Sequence, residues 1–164
     1  GFKERIDLLE AVDWTGIDFK IMGPADSWPM AAGTAIERYL EHSAIPGAAL
    51  WPYYAGSGAI VNLHRQSRQL LDPVKVTEAH SLNPRCYQVP ACGGLLLSDW
   101  RPEWDEVFGA VLPTFDSPAE LRKLARYYLD NPGARQDAVF ASMEAVQPHS
   151  YTQRARRILE EVHR

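Results

Sequence analysis

Between Asn62 and Gln88 the chain carries Arg65, Arg68, Lys75 and Arg85 against Asp72 and Glu78, although the whole protein has a net charge of −4. A local excess of cations in an acidic chain is what an anion-binding site requires. Arg85 is the best placed of these. It opens a short apolar helix, where backbone N–H groups and the start of the helix dipole favour negative charge. Arg5 occupies a similar position at the first helix start. His64 has two readings, a catalytic group or a satisfied structural histidine, and its residue type alone does not separate them. Tyr53 and Tyr54 are of a type that stacks on a base, with core packing as the plainer role.

Other chemistries are disfavoured. The five histidines are scattered with no pair at metal-ligand spacing. Cys86 and Cys92, the two cysteines, match no zinc or redox signature. They read as free, half-buried thiols in a reducing compartment, so a cytoplasmic location is expected. The acidic balance provides no footprint for duplex DNA. No apolar run is long enough for a membrane span, and no glycine fingerprint of a dinucleotide oxidoreductase follows a strand.

The elements that must position these residues alternate. The composition, 46% apolar and 23% charged over 164 residues, suits a single globular domain. Ile6, Leu9 and Val12 lie on one face of an opening helix that Gly16 would end. Residues 17–22 read as a short strand, and Thr34 with Glu37 as a capping box for a second helix. Residues 48–51 and 59–63 read as strands. Residues 64–84 show no period and are taken as a functional loop. A short helix over residues 85–92, a strand at 95–98, a helix introduced by Asp99 and Pro102, and a strand at 111–115 follow. Pro113 assigns the last of these to an edge or a strand end. Ser117-Pro118-Ala119-Glu120 caps a further helix, Asn131-Pro132 restarts one, and Ser150 with Gln153 caps the last. This order predicts an α/β fold, a Rossmann-like parallel sheet with helices on both faces. Ligands of such sheets bind at the carboxyl ends of the strands, so the loops at 1–5, 23–28, 64–85 and 98–102 are the candidate site.

The run Asn83-Pro84-Arg85-Cys86-Tyr87-Gln88-Val89-Pro90-Ala91-Cys92-Gly93-Gly94-Leu95-Leu96-Leu97-Ser98-Asp99 resembles the group-one glycosyltransferase signature, in which a small helix and "Ala-Cys-Gly" precede an apolar strand. It is closest to the spore-maturation-protein branch. Residues 1–6 look like the glycine-to-arginine loop that follows the first strand of that branch, and Asp13-Trp14-Thr15-Gly16-Ile17-Asp18 like its "Asp-Trp-x-Gly-Ile-Asp". Asn62-Leu63-His64-Arg65 is similar to its "Leu-Asn-x-His-Arg", and Asn131-Pro132 and Tyr151-Thr152-Gln153-Arg154-Ala155 to its closing helices. The motifs keep their order over nearly the whole chain.

The resemblance implies the C-terminal, donor-binding half of a GT-B glycosyltransferase. Residues 1–164 would form one nucleotide-sugar-binding domain, its first strand and the N-terminal acceptor domain of the same protein lying outside the chain. The implied activity is hexosyl transfer from a nucleotide-diphosphate sugar, UDP-sugar foremost, to an unknown acceptor, with neither metal nor cofactor. Helix N-termini and basic side chains would stabilise the leaving diphosphate. The implied donor-binding residues are Arg5, Asn62, His64, Arg65, His80, Asn83, Arg85 and Gln88. No catalytic residue is named, because a base for an inverting enzyme would belong to the N-terminal half. The wider superfamily has glutamates where Gln88 and, eight residues earlier, His80 stand. Gln88 accepts a ribose hydroxyl hydrogen bond through its amide oxygen but carries no charge. That departure keeps an alternative open, a non-catalytic nucleotide- or sugar-phosphate-binding or scaffold module on the same fold.

Overall fold

The computed structural model describes residues 3–24, 28–41, 45–64, 67–69, 72–77 and 79–163, with residues 67–69 and 72–77 described in backbone only. Helix α1 (Lys3–Ala11) buries Ile6 and Leu9. It stops before Gly16, because the Trp14 indole N–H donates to the Leu9 carbonyl at 2.9 Å and an Asp13 carboxylate oxygen accepts from Thr15 N–H. Both contacts turn the chain out of the helix. Gly16, at φ 74°, takes the left-handed conformation further on.

Strand β1 (Ile21–Met22) pairs in parallel with β2 (Leu40–Glu41). The expected strand over residues 17–22 is thus only its last two residues. Trp14 and Phe19 instead stack at 3.7 Å and pin the earlier part against the core. The capping box at Thr34 and Glu37 does not start an α-helix. Thr34 Oγ donates back to the Ala31 carbonyl and Glu37 accepts from Gly33 N–H, which leaves a 3-10 turn at Glu37–Tyr39. Residues 48–51 are not a strand. They form a 3-10 turn (Gly47–Ala49) leading into α2 (Trp51–Gly56), with Pro52 in its first turn. A four-residue apolar run does not separate strand from helix, and here the proline decided.

Strand β3 (Ile60–Asn62), β6 (Leu96–Asp99) and β7 (Thr114–Phe115) form a parallel sheet in the order β3-β6-β7. Between β3 and β6, where a structureless loop was expected, β4 (Ser67–Gln69) and β5 (Asp72–Thr77) make an antiparallel hairpin. Val74-Lys75-Val76-Thr77 is rich in β-branched residues, but too short a run to register as a period. β7 lies at the sheet edge, following Pro113. In β6 the successive residues Leu96, Leu97 and Ser98 are all fully buried, so both faces of this strand are covered. α3 (Arg85–Ala91) and α5 (Pro118–Asp130) pack against it. The architecture is an α/β domain of parallel strands flanked by helices, Rossmann-like as expected.

Gly93, at φ 77°, closes α3, and Gly94 N–H donates to the Val89 carbonyl at 3.0 Å. A Cβ on Gly94 would come within 2.5 Å of the Tyr54 carbonyl oxygen, so this glycine lets α2 and α3 meet backbone to backbone. α4 (Pro102–Val107) buries Trp104, while α6 (Pro132–Val146) packs on α3 and α5. α7 (Tyr151–Val162) buries none of its residues. Among the described residues no helix is long and apolar enough to cross a membrane.

Candidate functional site

The carboxyl ends of β3 and β6 carry a run of polar side chains that the hydrophobic core closes over. Asn62, the last residue of β3, is fully buried with all four hydrogen-bonding positions of its amide in use. Its Nδ2 donates to Ser98 Oγ at 2.9 Å and to Cys86 Sγ at 3.4 Å. Its Oδ1 accepts from Asn83 Nδ2 at 2.9 Å and from the Arg85 guanidinium at 3.2 Å. Asn83 in turn accepts from Arg85 N–H at 3.1 Å. A core amide therefore fixes the exposed Arg85, using one of its five N–H groups and leaving its outer side toward solvent.

The same network continues through His64. Asp99, at the end of β6, accepts from His64 N–H at 2.9 Å, and its Oδ1 lies 2.7 Å from His64 Nδ1. With the Nδ1 proton directed at the carboxylate, Nε2 faces the Cys86 thiol at 3.6 Å. Ser98 Oγ donates to the Asp99 carbonyl at 3.0 Å, completing a ring through Asn62, Ser98, Asp99, His64 and Cys86. Cys86, His64 and Asp99 have the residue types of a nucleophilic triad, and their surroundings decide against one. Burial pushes the Cys86 thiol up to about 12, so it stays protonated and unreactive near neutrality. The His64 side chain is only 4% exposed, with Nδ1 on Asp99 and Nε2 at 3.6 Å from Cys86 Sγ, an arrangement that ties the ends of β3 and β6 together. Both cysteines are free, Cys86 buried and Cys92 partly so.

Beside this ring, Arg5, Glu4 and Leu8 of α1 meet Leu63, His64, Asp99, Trp100 and Arg101 around a cleft of about 250 Å³. Arg5 is thus brought to the ends of β3 and β6. Arg101 was not singled out from the sequence, although the strand-end rule already marked its loop. Asn62, Asn83 and Arg85 form one cluster, with Arg5 and His64 adjoining it. His80 stays apart: exposed, it takes part through its backbone carbonyl, which accepts from Glu103 N–H at 3.2 Å. Gln88 also points elsewhere, into a groove between α3 and the corner of α6 and α7. Arg65 lies outside the described residues.

Behind the cluster, Glu103 of α4 braces the segment that carries Asn83 and Arg85. Its Oε2 accepts from Leu82 N–H at 2.6 Å and its Oε1 from the Tyr87 hydroxyl at 2.9 Å. Burial, and then the Glu103 carboxylate, push the Tyr87 phenol up to about 12.

The fold is a parallel α/β domain, a class whose ligands sit at the carboxyl ends of the strands, and here the buried Asn62 holds Arg85 at those ends. The chain belongs to the glycosyl transferase-like family, whose pattern it matches over residues 5–160. Neither a curated protein nor a solved structure matches it. It is a glycosyltransferase-family module.

Proposed function

We propose that this domain binds the nucleotide-diphosphate sugar donor, UDP-sugar foremost, of a metal-independent hexosyl transfer. The observation that carries this reading is the buried Asn62 amide, which spends two of its four bonds holding Asn83 and Arg85 at the strand ends. A side chain anchored in this way meets a phosphate without first losing much rotamer freedom. Arg85, Arg5 and Arg65 are the cations of the proposal, with Gln88 taking the ribose from the groove side of α3.

The acceptor side of the reaction belongs, in this reading, to an N-terminal domain of the same protein in a GT-B arrangement. Two features support it. Among the described residues, β1–β2 and β3-β6-β7 are separate parallel pieces with no strand pair joining them, as a sheet short of one central strand would be. α7 also leaves an apolar face uncovered, with Ile158, Leu159 and Val162 all exposed. The closeness of the motifs to the spore-maturation-protein branch and the free thiols support a cytoplasmic enzyme of that kind.

Titration calorimetry with UDP and UDP-sugars tests the donor reading. Arg85→Ala is expected to weaken UDP binding by about 1.5–3 kcal/mol, the range for a hydrogen bond to a charged group. Gln88→Glu is expected to hold or strengthen it. Wild-type affinity in Arg85→Ala, alongside loss in a distant arginine variant, would displace the site. The second reading, a binding module without activity, is favoured by Gln88 and His80 standing where relatives have glutamates. Nucleotide-sugar binding by the longer protein without sugar transfer or hydrolysis would select it.

A further inference from the structure

Glu103 holds the Arg85 segment from both ends. Leu82, three residues before Arg85, donates its N–H to Oε2, and Tyr87, two residues after it, donates its hydroxyl to Oε1. The Glu103 side chain is only 19% exposed, so water serves its charge poorly. The cation that answers it comes from α7. Arg154 Nη2 lies 4.0 Å from Glu103 Oε1, and the Arg154 guanidinium stands over the Tyr87 ring at 4.6 Å. His149, in the 3-10 turn Gln147–His149 that leads into α7, comes within 5.7 Å of the same ring.

α7 itself has little else to fix it. It is 12 residues long and buries none of them, and a helix of that length is marginal in water without tertiary packing. An open groove of about 540 Å³ lies where its first turn meets α3. The contacts of Arg154, in that first turn, therefore weigh heavily in where the helix sits.

We infer that Arg154 is a positioning residue for Arg85: seated on Tyr87 and Glu103, it transmits the placement of α7 to the segment that carries Arg85. The inference rests on the donor reading above for what Arg85 binds. A guanidinium that stacks on a ring and faces a half-buried carboxylate is held by two contacts at once, unlike a lone surface pair. With Arg154 in place, Glu103 stays turned to Leu82 and Tyr87. Without it, the carboxylate keeps its charge among two neutral donors, and turning toward water breaks one of those hydrogen bonds. Either loss frees one end of the segment. Arg85, tied to Asn62 through one guanidinium bond of 3.2 Å, then moves with it. Arg154 is not among the residues around the strand-end cleft, so its influence on a bound phosphate passes through Glu103.

Amide hydrogen exchange and UDP calorimetry on the whole chain test this, with Arg154→Ala, Arg154→Lys, Glu103→Gln and a control, Arg156→Ala. The control removes an exposed cation from the same helix and so accounts for net charge. Arg154→Ala is expected to speed exchange at residues 82–87 with the melting temperature unchanged, and to weaken UDP binding about two- to fivefold. Arg156→Ala should match wild type in both. Arg154→Lys should recover most of the loss, since an ammonium still answers Glu103. In a Glu103→Gln background, Arg154→Ala should add nothing further. Wild-type exchange and affinity in Arg154→Ala would overturn the inference, as would an equal loss in Arg156→Ala. Full additivity of Arg154→Ala and Glu103→Gln would overturn it too, because Arg154 would then not act through Glu103. Wild-type protein that does not bind UDP would overturn the donor reading instead, and exchange at 82–87 in the unliganded chain would still decide whether Arg154 positions that segment.

Discussion

At the scale of single residues the strand-end network is a fully satisfied polar cluster inside an apolar core. Each member has a partner, so removing one leaves the others desolvated and unpaired. Asn62→Leu keeps the volume but takes one hydrogen-bond partner each from Ser98, Cys86, Asn83 and Arg85. It is expected to cost about 2–3 kcal/mol in urea unfolding, and to loosen Arg85 so that phosphate affinity falls as well. Cys86 leads to a prediction about pH. Its thiol, ordinarily near 9.0, is pushed up to about 12 by burial. Between those values the unfolded chain releases the proton while the folded chain keeps it, so stability is full below about 9 and falls as pH rises toward 12. Denaturant melts across pH 8–11 should show this decline, and Cys86→Ala should flatten it. In the native protein at pH 8, thiol reagents should modify Cys92 before Cys86.

Among the elements, the two best-capped helices should respond differently to the same change. Ser117 Oγ accepts from Glu120 N–H at the start of α5, and Ser150 Oγ from Gln153 N–H at the start of α7. α5 buries Leu121, Ala125 and Tyr128, so its folding is part of global folding. Ser117→Ala is expected to lower global stability by about 1 kcal/mol. α7 buries nothing, and Ser150→Ala should fray that helix alone. Amide exchange faster in α7, with an unchanged melting temperature, is the expected signature. Gly94 acts where elements meet. A methyl there collides with Tyr54 backbone rather than a flexible side chain tip, so Gly94→Ala should cost about 1–3 kcal/mol and force α2 away from α3.

For the whole molecule, the two parallel strand groups are held together by packing: Ile6, Ile21, Leu97 and Phe115 share one hydrophobic cluster. The uncovered face of α7 provides a test of the proposed N-terminal domain. Ile158→Lys with Val162→Lys exchanges exposed apolar groups for charged ones, and in this chain alone it should leave stability unchanged within about 0.5 kcal/mol. In a longer protein that includes the upstream domain, the same pair should lower the melting temperature if that domain covers α7. Equal melting temperatures there would remove this support for the two-domain arrangement.

The sequence by itself determined the class of the fold and marked out the region of the candidate site. Apart from the hairpin at 67–77, where the sequence shows no period, the alternation of strands and helices from Ile60 to Phe115 was legible. A buried parallel strand such as 95–98 is a continuous apolar run, and its helices begin at Pro102, Pro118 and Pro132. Asn62, Asn83 and Arg85 could be grouped because ordered motifs place them at strand ends. The first 56 residues were harder to read, since three-residue turns and two-residue strands leave no period to detect. Tertiary structure alone decided what each polar residue does. Nothing in its neighbours tells His64 that Asp99 and Cys86, 35 and 22 residues away, will occupy both its nitrogens. Nor does helical spacing show that Arg85 turns to Asn62 while Gln88, one turn on, turns to the α6–α7 corner. Roles of that kind depend on which distant elements close around a side chain, and packing, not local pattern, chooses them.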